Sequence, residues 1–175
     1  MKIVGLFRHA KSDWSDMDKR DFDRGLNDRG RQGAALMGRH IADQGMAFDK
    51  IVASPAKRVT ATLEAAMPDA DIDYDRRVYL APADTLMDVL QAQDDADDAV
   101  LIVGHNPGLQ DLVLKLVARD KEGPLFQEAK VKYPTATFAT IRLPIPSWSE
   151  LSAETGELTH FARPRDLDPE LGPTD

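Results

Sequence analysis

The sequence predicts an α/β protein, a three-layer sandwich in which helices flank both faces of a mostly parallel central sheet. Two observations carry this reading. Three short runs rich in Ile and Val, "KIVGLF" (2–7), "KIVAS" (50–54) and "AVLIVG" (99–104), are too short for helices and read as buried strands. The segments between them show helical periodicity and helix-start residues, and strands that alternate with helices imply parallel pairing. A chain of 175 residues is long enough to bury one sizeable core.

Taken in order, the first strand (2–7) runs straight into Arg8-His9. The stretch "DRGRQGAALMGRHIADQ" (28–44) is expected to be helical, with Asp28 as N-cap and Ala34, Ala35, Met37 and Ile41 on its inner face. The second strand leads into Ser54-Pro55, a capping residue followed by a proline suited to the first helical turn, so a helix is expected to about Ala66. A third helix is expected over 83–93, and the acidic "QDDADD" (93–98) reads as a solvated loop. After the third strand, Asn106-Pro107 opens a helix through "GLQDLVLKLVA". "TATFATIRLP" (135–144) and "ELTHFAR" (157–163) read as an antiparallel edge pair, with Trp148 and Gly156 in the connection. Residues 1–163 are expected to form one domain. The tail, 164–175, carries Pro164, Pro169 and Pro173 and little apolar content, and is expected to be irregular.

Composition narrows the function. Hydrophobic residues at 42% and charged residues at 30% are ordinary for a soluble globular protein. With no cysteine, a structural disulfide, a thiolate nucleophile and a thiolate metal site are excluded, and a reducing compartment such as the cytoplasm is expected. The start of the chain lacks a leader pattern, and no apolar run approaches the roughly 18 residues of a membrane span. A net charge of −8 argues against a nucleic-acid partner, although a local basic pocket can still hold one phosphate.

The chemistry gathers at the strand ends. The first strand ends in Arg8-His9, the second in Ser54-Pro55-Ala56-Lys57-Arg58, the third in Gly104-His105-Asn106-Pro107. Ligands of open α/β sheets bind outside the carboxyl ends of the strands, so parallel pairing would bring the three clusters together. Together they offer two histidines, two arginines, a lysine and two helix N-termini, a set suited to a phosphoryl group. A histidine among them could serve as nucleophile, general base or general acid. Nucleotide-cradling glycine loops and an H-E-x-x-H zinc pair are missing. His40 and His160 read as structural or exposed, and the D-x-D spacing of "DIDYD" (71–75) lies in a polar stretch unsuited to a magnesium-dependent aspartate site.

"LFRHAKSDW", "VASPAKRVTAT" and "LIVGHNPGL" together resemble, in order and spacing, the motifs of the histidine phosphatase superfamily, the phosphoglycerate-mutase-like proteins. The short length, "GHNP" and the late "FARPRDL" (161–167) are most similar to the SixA-type phosphohistidine phosphatases. The resemblance implies a phosphoglycerate-mutase-like fold and a phosphatase that needs no metal or other cofactor. It implies His9 as nucleophile, Arg8 and Arg58 as a clamp on the phosphoryl oxygens, and His105 as the residue that completes the pocket. Lys11, Ser12 and Asn106 would add substrate contacts. Two departures stand out: Ala10 replaces the usual glycine, and the segment "DRRVYLAPADTL" (75–86) offers Tyr79, with Asp84 nearby, where an acidic proton donor is usual. An alkoxide leaving group, with a conjugate acid of pKa about 16, needs such a donor, whereas imidazole, at roughly 6.5, departs once its ring is protonated. Only about 47 residues lie between Arg58 and His105, which leaves little chain for a lid. Phosphohistidine on a partner protein, such as a histidine-phosphotransfer domain, is therefore the expected substrate. A small-molecule phosphomonoesterase of the same fold and a non-catalytic phosphoprotein-binding module stay open as alternatives.

Overall fold

The structure, a computed structural model, describes residues 1–172. Six strands form one sheet: β1 (Lys2–Arg8), β2 (Lys50–Ala53), β3 (Asp73–Tyr74), β4 (Ala99–Gly104), β5 (Phe138–Leu143) and β6 (Glu157–Ala162). Their order is β3-β2-β4-β1-β5-β6, with parallel pairing from β3 to β1 and antiparallel pairing on both sides of β5. Five strands thus point one way and β5 alone opposes them. The expected late antiparallel pair is present, but only β6 is at the edge; β5 is hydrogen-bonded along the length of β1.

Six α-helices accompany the sheet: α1 (Asp28–Asp43), α2 (Lys57–Ala66), α3 (Ala83–Gln91), α4 (Gly108–Leu116), α5 (Pro124–Val131) and α6 (Pro164–Leu167). Alternation along the strands sorts the core into two layers. Val4, Leu6, Val52, Val100 and Ile102 pack against α3, α4 and α5, while Phe7, Ile51, Ala53, Leu101 and Val103 pack against α1 and α2. A three-layer α/β sandwich with a mostly parallel sheet is what the sequence predicts. No helix among the described residues is long and apolar enough to cross a membrane.

Several local expectations change. The N-cap of α1 is Asn27, one residue before Asp28; its side chain accepts from the Gly30 amide at 2.8 Å. Ser54 and Pro55 stay outside α2, which starts at Lys57, because the chain is still extended at Ala56. The tail expected to be irregular folds from Pro164 into α6 and then a 3-10 turn over Pro169–Leu171; residues 173–175 lie outside the described residues. The helix α5 had no counterpart in the sequence reading. The acidic loop 93–98 is not simply solvated: it wraps the buried Lys2, whose ammonium donates to the Asp95 carbonyl at 2.7 Å and pairs with Asp98 at 2.9 Å. Asp95 and Asp97 also accept from the backbone and indole N–H groups of the buried Trp148.

One glycine bears on the site. A Cβ on Gly30 of α1 would overlap the carbonyl oxygen of Lys11, so the chain just after β1 lies directly on the helix.

Candidate active site

The carboxyl ends of β1, β2 and β4 converge on a cavity of about 310 Å³ whose walls include Arg8, His9, Lys11, Ser12, Arg58, His105 and Asn106. The convergence follows from register: Arg8 pairs with Gly104 across β1 and β4, and Ala53 pairs with Val103 across β2 and β4. Each strand therefore releases its polar residues at the same level of the sheet.

His9 is 7% exposed and held from several sides. Its amide donates to Gly104 at 3.0 Å and its carbonyl accepts from Ala136 at 2.9 Å. The next residue, Ala10, donates its amide to Thr62 Oγ1 at 2.9 Å. The ring Nδ1 lies 2.7 Å from the Ala10 carbonyl. A carbonyl only accepts, so Nδ1 carries the proton and the lone pair sits on Nε2. Burial above all, with Arg8 and Arg58 adding to it, pushes the imidazole down to about 4, against the opposing pull of the Ala10 carbonyl. At neutral pH the ring is uncharged and Nε2 can act as a nucleophile.

His105, at 3% exposure, has both nitrogens engaged. Arg58 Nη2 lies 3.3 Å from Nδ1, and Ser54 Oγ lies 2.8 Å from Nε2. A guanidinium only donates, so Nδ1 accepts and Nε2–H is left to donate to the Ser54 hydroxyl. Burial first, then His9 and Arg58, bring this ring down to about 3. The two imidazole rings stand 5.3 Å apart between centroids.

The arginines are positioned differently. Arg58, 5% exposed, donates to the Asp21 carbonyl at 2.8 Å and to its carboxylate at 3.1 Å. Arg8 Nη1 donates to the Tyr133 carbonyl at 2.9 Å, and its buried Nε has no partner. An unmet N–H costs about 1–3 kcal/mol and is most easily tolerated where an anion is to bind. Asn106 also donates to the Tyr133 carbonyl, at 3.1 Å. Tyr133 is in turn fixed by its hydroxyl, which donates to the Leu6 carbonyl at 2.6 Å.

The two candidate proton donors fare poorly. Asp84 lies on the first turn of α3, 81% exposed and ion-paired with Lys115, and does not line the cavity. Tyr79 reaches the region, with its ring edge-on to His105 at 5.4 Å, but its hydroxyl donates to the Asp21 carboxylate at 2.5 Å. Burial first and then Asp21 raise the Tyr79 phenol above its ordinary value. Asp21 is the only carboxylate in the cavity walls among the described residues. Burial pushes it up, yet the hydrogen bond from Tyr79 and the charge of Arg58 outweigh this and hold it below the usual carboxylate range. It is ionised at neutral pH and holds no proton to give.

Asp21, Ser54 and Tyr133 are the residues that sequence reasoning missed. Ser54 stood in the right strand-end cluster but reads as a helix cap. Asp21 lies in "DMDKRDFDRG", a charged run without periodicity, and reaches the cavity because Arg24, 4% exposed, gathers the loop. Its guanidinium donates to the carbonyls of Asp13, Asp16 and Lys19, each at 3.1 Å, and stacks 3.8 Å from the Trp14 ring. His40 and His160, set aside in the sequence, meet each other away from the cavity at 2.9 Å between Nε2 atoms. In "DIDYD", Asp73 pairs with Lys50 and Asp75 caps a 3-10 turn. Among the described residues no three His, Cys, Asp or Glu side chains gather as a metal site requires.

Comparison with known proteins agrees with this geometry. Residues 4–81 match the profile of the histidine phosphatase superfamily (branch 1). An uncharacterised protein of Mycobacterium leprae is 31% identical over 161 residues, 90% of this chain and 99% of that one. The structure is similar to that of a candidate phosphohistidine phosphatase SixA from Agrobacterium tumefaciens, with TM-score 0.74 and 30% identity over 92% of this chain and 97% of the other. It is also similar to that of a candidate SixA from Nakamurella multipartitia, with TM-score 0.82 and 26% identity over 93% and 96%.

Proposed function

Because the chain belongs to the histidine phosphatase superfamily and is of the SixA type, we propose that it is a phosphatase working through a phosphohistidine on His9, with phosphohistidine on a partner protein as its substrate. The observation that carries the substrate assignment is the state of Asp21. The one carboxylate in the cavity among the described residues is ionised, and both Tyr79 and Arg58 donate to it. A site whose carboxylate is ionised and whose phenol is engaged by it favours a leaving group that needs no carboxylic acid.

In the first half-reaction His9 Nε2 attacks phosphorus. The new P–N bond forms on His9 as the P–N bond of the substrate breaks, and the substrate imidazole leaves neutral if its other nitrogen is protonated. Arg8 and Arg58 offset the charge on the equatorial oxygens. In the second half-reaction a water oxygen attacks phosphorus and the electron pair returns to Nε2. The Nδ1–H bond to Ala10 keeps the His9 ring protonated at its far nitrogen throughout, so His9 also departs as neutral imidazole. The proton of the water passes to solvent and phosphate is released. Neither half requires an internal acid, and no step requires a metal or cofactor.

Trp14 and Leu80, 59% and 54% exposed, form an apolar rim on the cavity, which supports a protein surface as the bearer of the phosphoryl group. The absence of cysteine supports the cytoplasm as its place of work, in phosphotransfer signalling. The test compares p-nitrophenyl phosphate with a simple alkyl phosphate. The alkyl ester should turn over slower by about 10²–10⁴-fold, the factor a general acid would otherwise supply. Equal rates would overturn the substrate assignment in favour of a small-molecule phosphomonoesterase.

A further inference from the structure

A second cleft, of about 290 Å³, opens beside the phosphoryl cavity, and the two share Arg8, Lys11 and Thr135 in their walls. Its far side is built by the first turn of α1, the residue after α5, and α6. These supply Arg29, Lys132, Arg163 and Arg165, and among the described residues no Asp or Glu side chain lines the cleft. In a chain of net charge −8 such a concentration of one sign is unexpected. Clustered like charges repel, and clefts lined by one sign attract the opposite charge.

Internal partners do not account for the cluster. Arg163 is engaged by Asp166 at 2.9 Å, and Arg29 donates to the carbonyls of Glu170 and Gly172 at 3.0 and 2.9 Å. Lys11, Lys132 and Arg165 form no ion pair among the described residues. Arg165 is half-buried, and the Asp166 carboxylate that feels its charge is itself hydrogen-bonded to Arg163. The volume is near the lower end of small-ligand pockets, enough for a carboxylate or phosphate on a short stem but not for a folded element.

We propose that this cleft binds a second anionic group of the substrate, covalently linked to the phosphoryl group, with Arg8 and Lys11 lying between the two. The proposal rests on the reading of the His9 cavity as a phosphoryl-transfer site. The second anion can come from a phosphorylated small molecule or from an acidic side chain next to a phosphohistidine; the chemistry recognised is the same.

The experiment uses the double variant Lys132→Ala/Arg165→Ala, since neither residue lines the phosphoryl cavity. Turnover of phenyl phosphate is compared with that of its meta- and para-carboxylated forms and of a phosphorylated histidine-phosphotransfer domain. Calorimetric binding of inorganic phosphate is compared with that of pyrophosphate. For a carboxylated ester kcat/KM should fall by about tenfold, mostly in KM, and pyrophosphate should bind about tenfold more weakly, while phenyl phosphate and inorganic phosphate change less than about twofold. A loss confined to the small esters supports the cleft with a small-molecule source, and a loss on the phosphorylated domain as well supports it with a protein carboxylate. Equal losses on phenyl phosphate and the carboxylated esters, or no loss on any substrate and none in pyrophosphate binding, would overturn it. If the unmodified protein turns over none of these substrates, it is the phosphoryl-transfer reading that fails, and the calorimetry still decides the cleft.

Discussion

His9 and His105 are both held neutral, but by different neighbours and in opposite tautomers. The Ala10 carbonyl fixes the proton of His9 on Nδ1, while Arg58 and Ser54 fix that of His105 on Nε2. Both rings titrate far below the roughly 6.5 of a free histidine, at about 4 and about 3. The sign for stability follows. Between pH 6.5 and these values the unfolded chain binds protons that the folded protein does not, so stability is full above about pH 6.5 and is lost as pH falls. Each histidine should contribute a slope of roughly 1 kcal/mol per pH unit across that window. Denaturant unfolding at a series of pH values checks this: His105→Gln should show a clearly shallower loss between pH 6.5 and 4.5, and an unchanged slope would mean that His105 is protonated in the fold. The placement of the cavity residues was legible to unequal degrees. Arg8, His9, Arg58 and His105 were readable because each lies at or shortly after the end of an apolar strand. Asp21 was not, since nothing in a run of charged residues says which one turns inward. The proton donor sought at Tyr79 or Asp84 turns out to be a donor to Asp21 in one case and a surface ion pair in the other.

At the level of elements, the strands and helices with strong periodicity follow the sequence, and the differences fall where tertiary contacts decide. Ser54-Pro55 has the grammar of a helix start, but the Ser54 hydroxyl is taken by His105, and the helix waits until Lys57. The acidic loop 93–98 looks solvated until one sees that a buried lysine and a buried tryptophan from distant segments need its carbonyls. The loop between Ser12 and Leu26 is the element on which the site depends most. Apart from a 3-10 turn at Asp21–Asp23 its shape is set by the three carbonyl bonds of Arg24 and its stacking on Trp14. Lysine ends in one compact ammonium, which reproduces neither the planar fork that Arg24 spreads over these carbonyls nor its flat stacking on the Trp14 ring. Arg24→Lys should therefore loosen the loop, release Asp21 from Arg58 and lower kcat/KM by about tenfold. Limited proteolysis should cut first within residues 13–23, with little change in the melting temperature. A variant with unchanged kinetics would show that Arg58 does not rely on this loop.

For the molecule as a whole, the arrangement of the sheet explains why the site could be read before the fold was seen. The parallel strands β1, β2 and β4 are neighbours, so residues 8, 54 and 105 must emerge together at one edge. The sequence could not show what the remaining chain adds around that edge. The tail folds back as α6, and α5 arises in a segment with no clear pattern; α6 and the residue that ends α5 contribute cations to the cleft beside the cavity. An acidic protein thus presents a basic site with an apolar rim. In the proposed reaction His9 Nε2 takes the phosphoryl group from a protein phosphohistidine. The most direct measurement incubates the protein with a ³²P-labelled histidine-phosphotransfer domain, quenches early in strong base and maps the label. Acid-labile, base-stable label is expected on His9 and not in His9→Ala, with the domain losing its phosphate only in the presence of the unmodified protein. Dephosphorylation of the domain by His9→Ala, or label on any other residue, would contradict it.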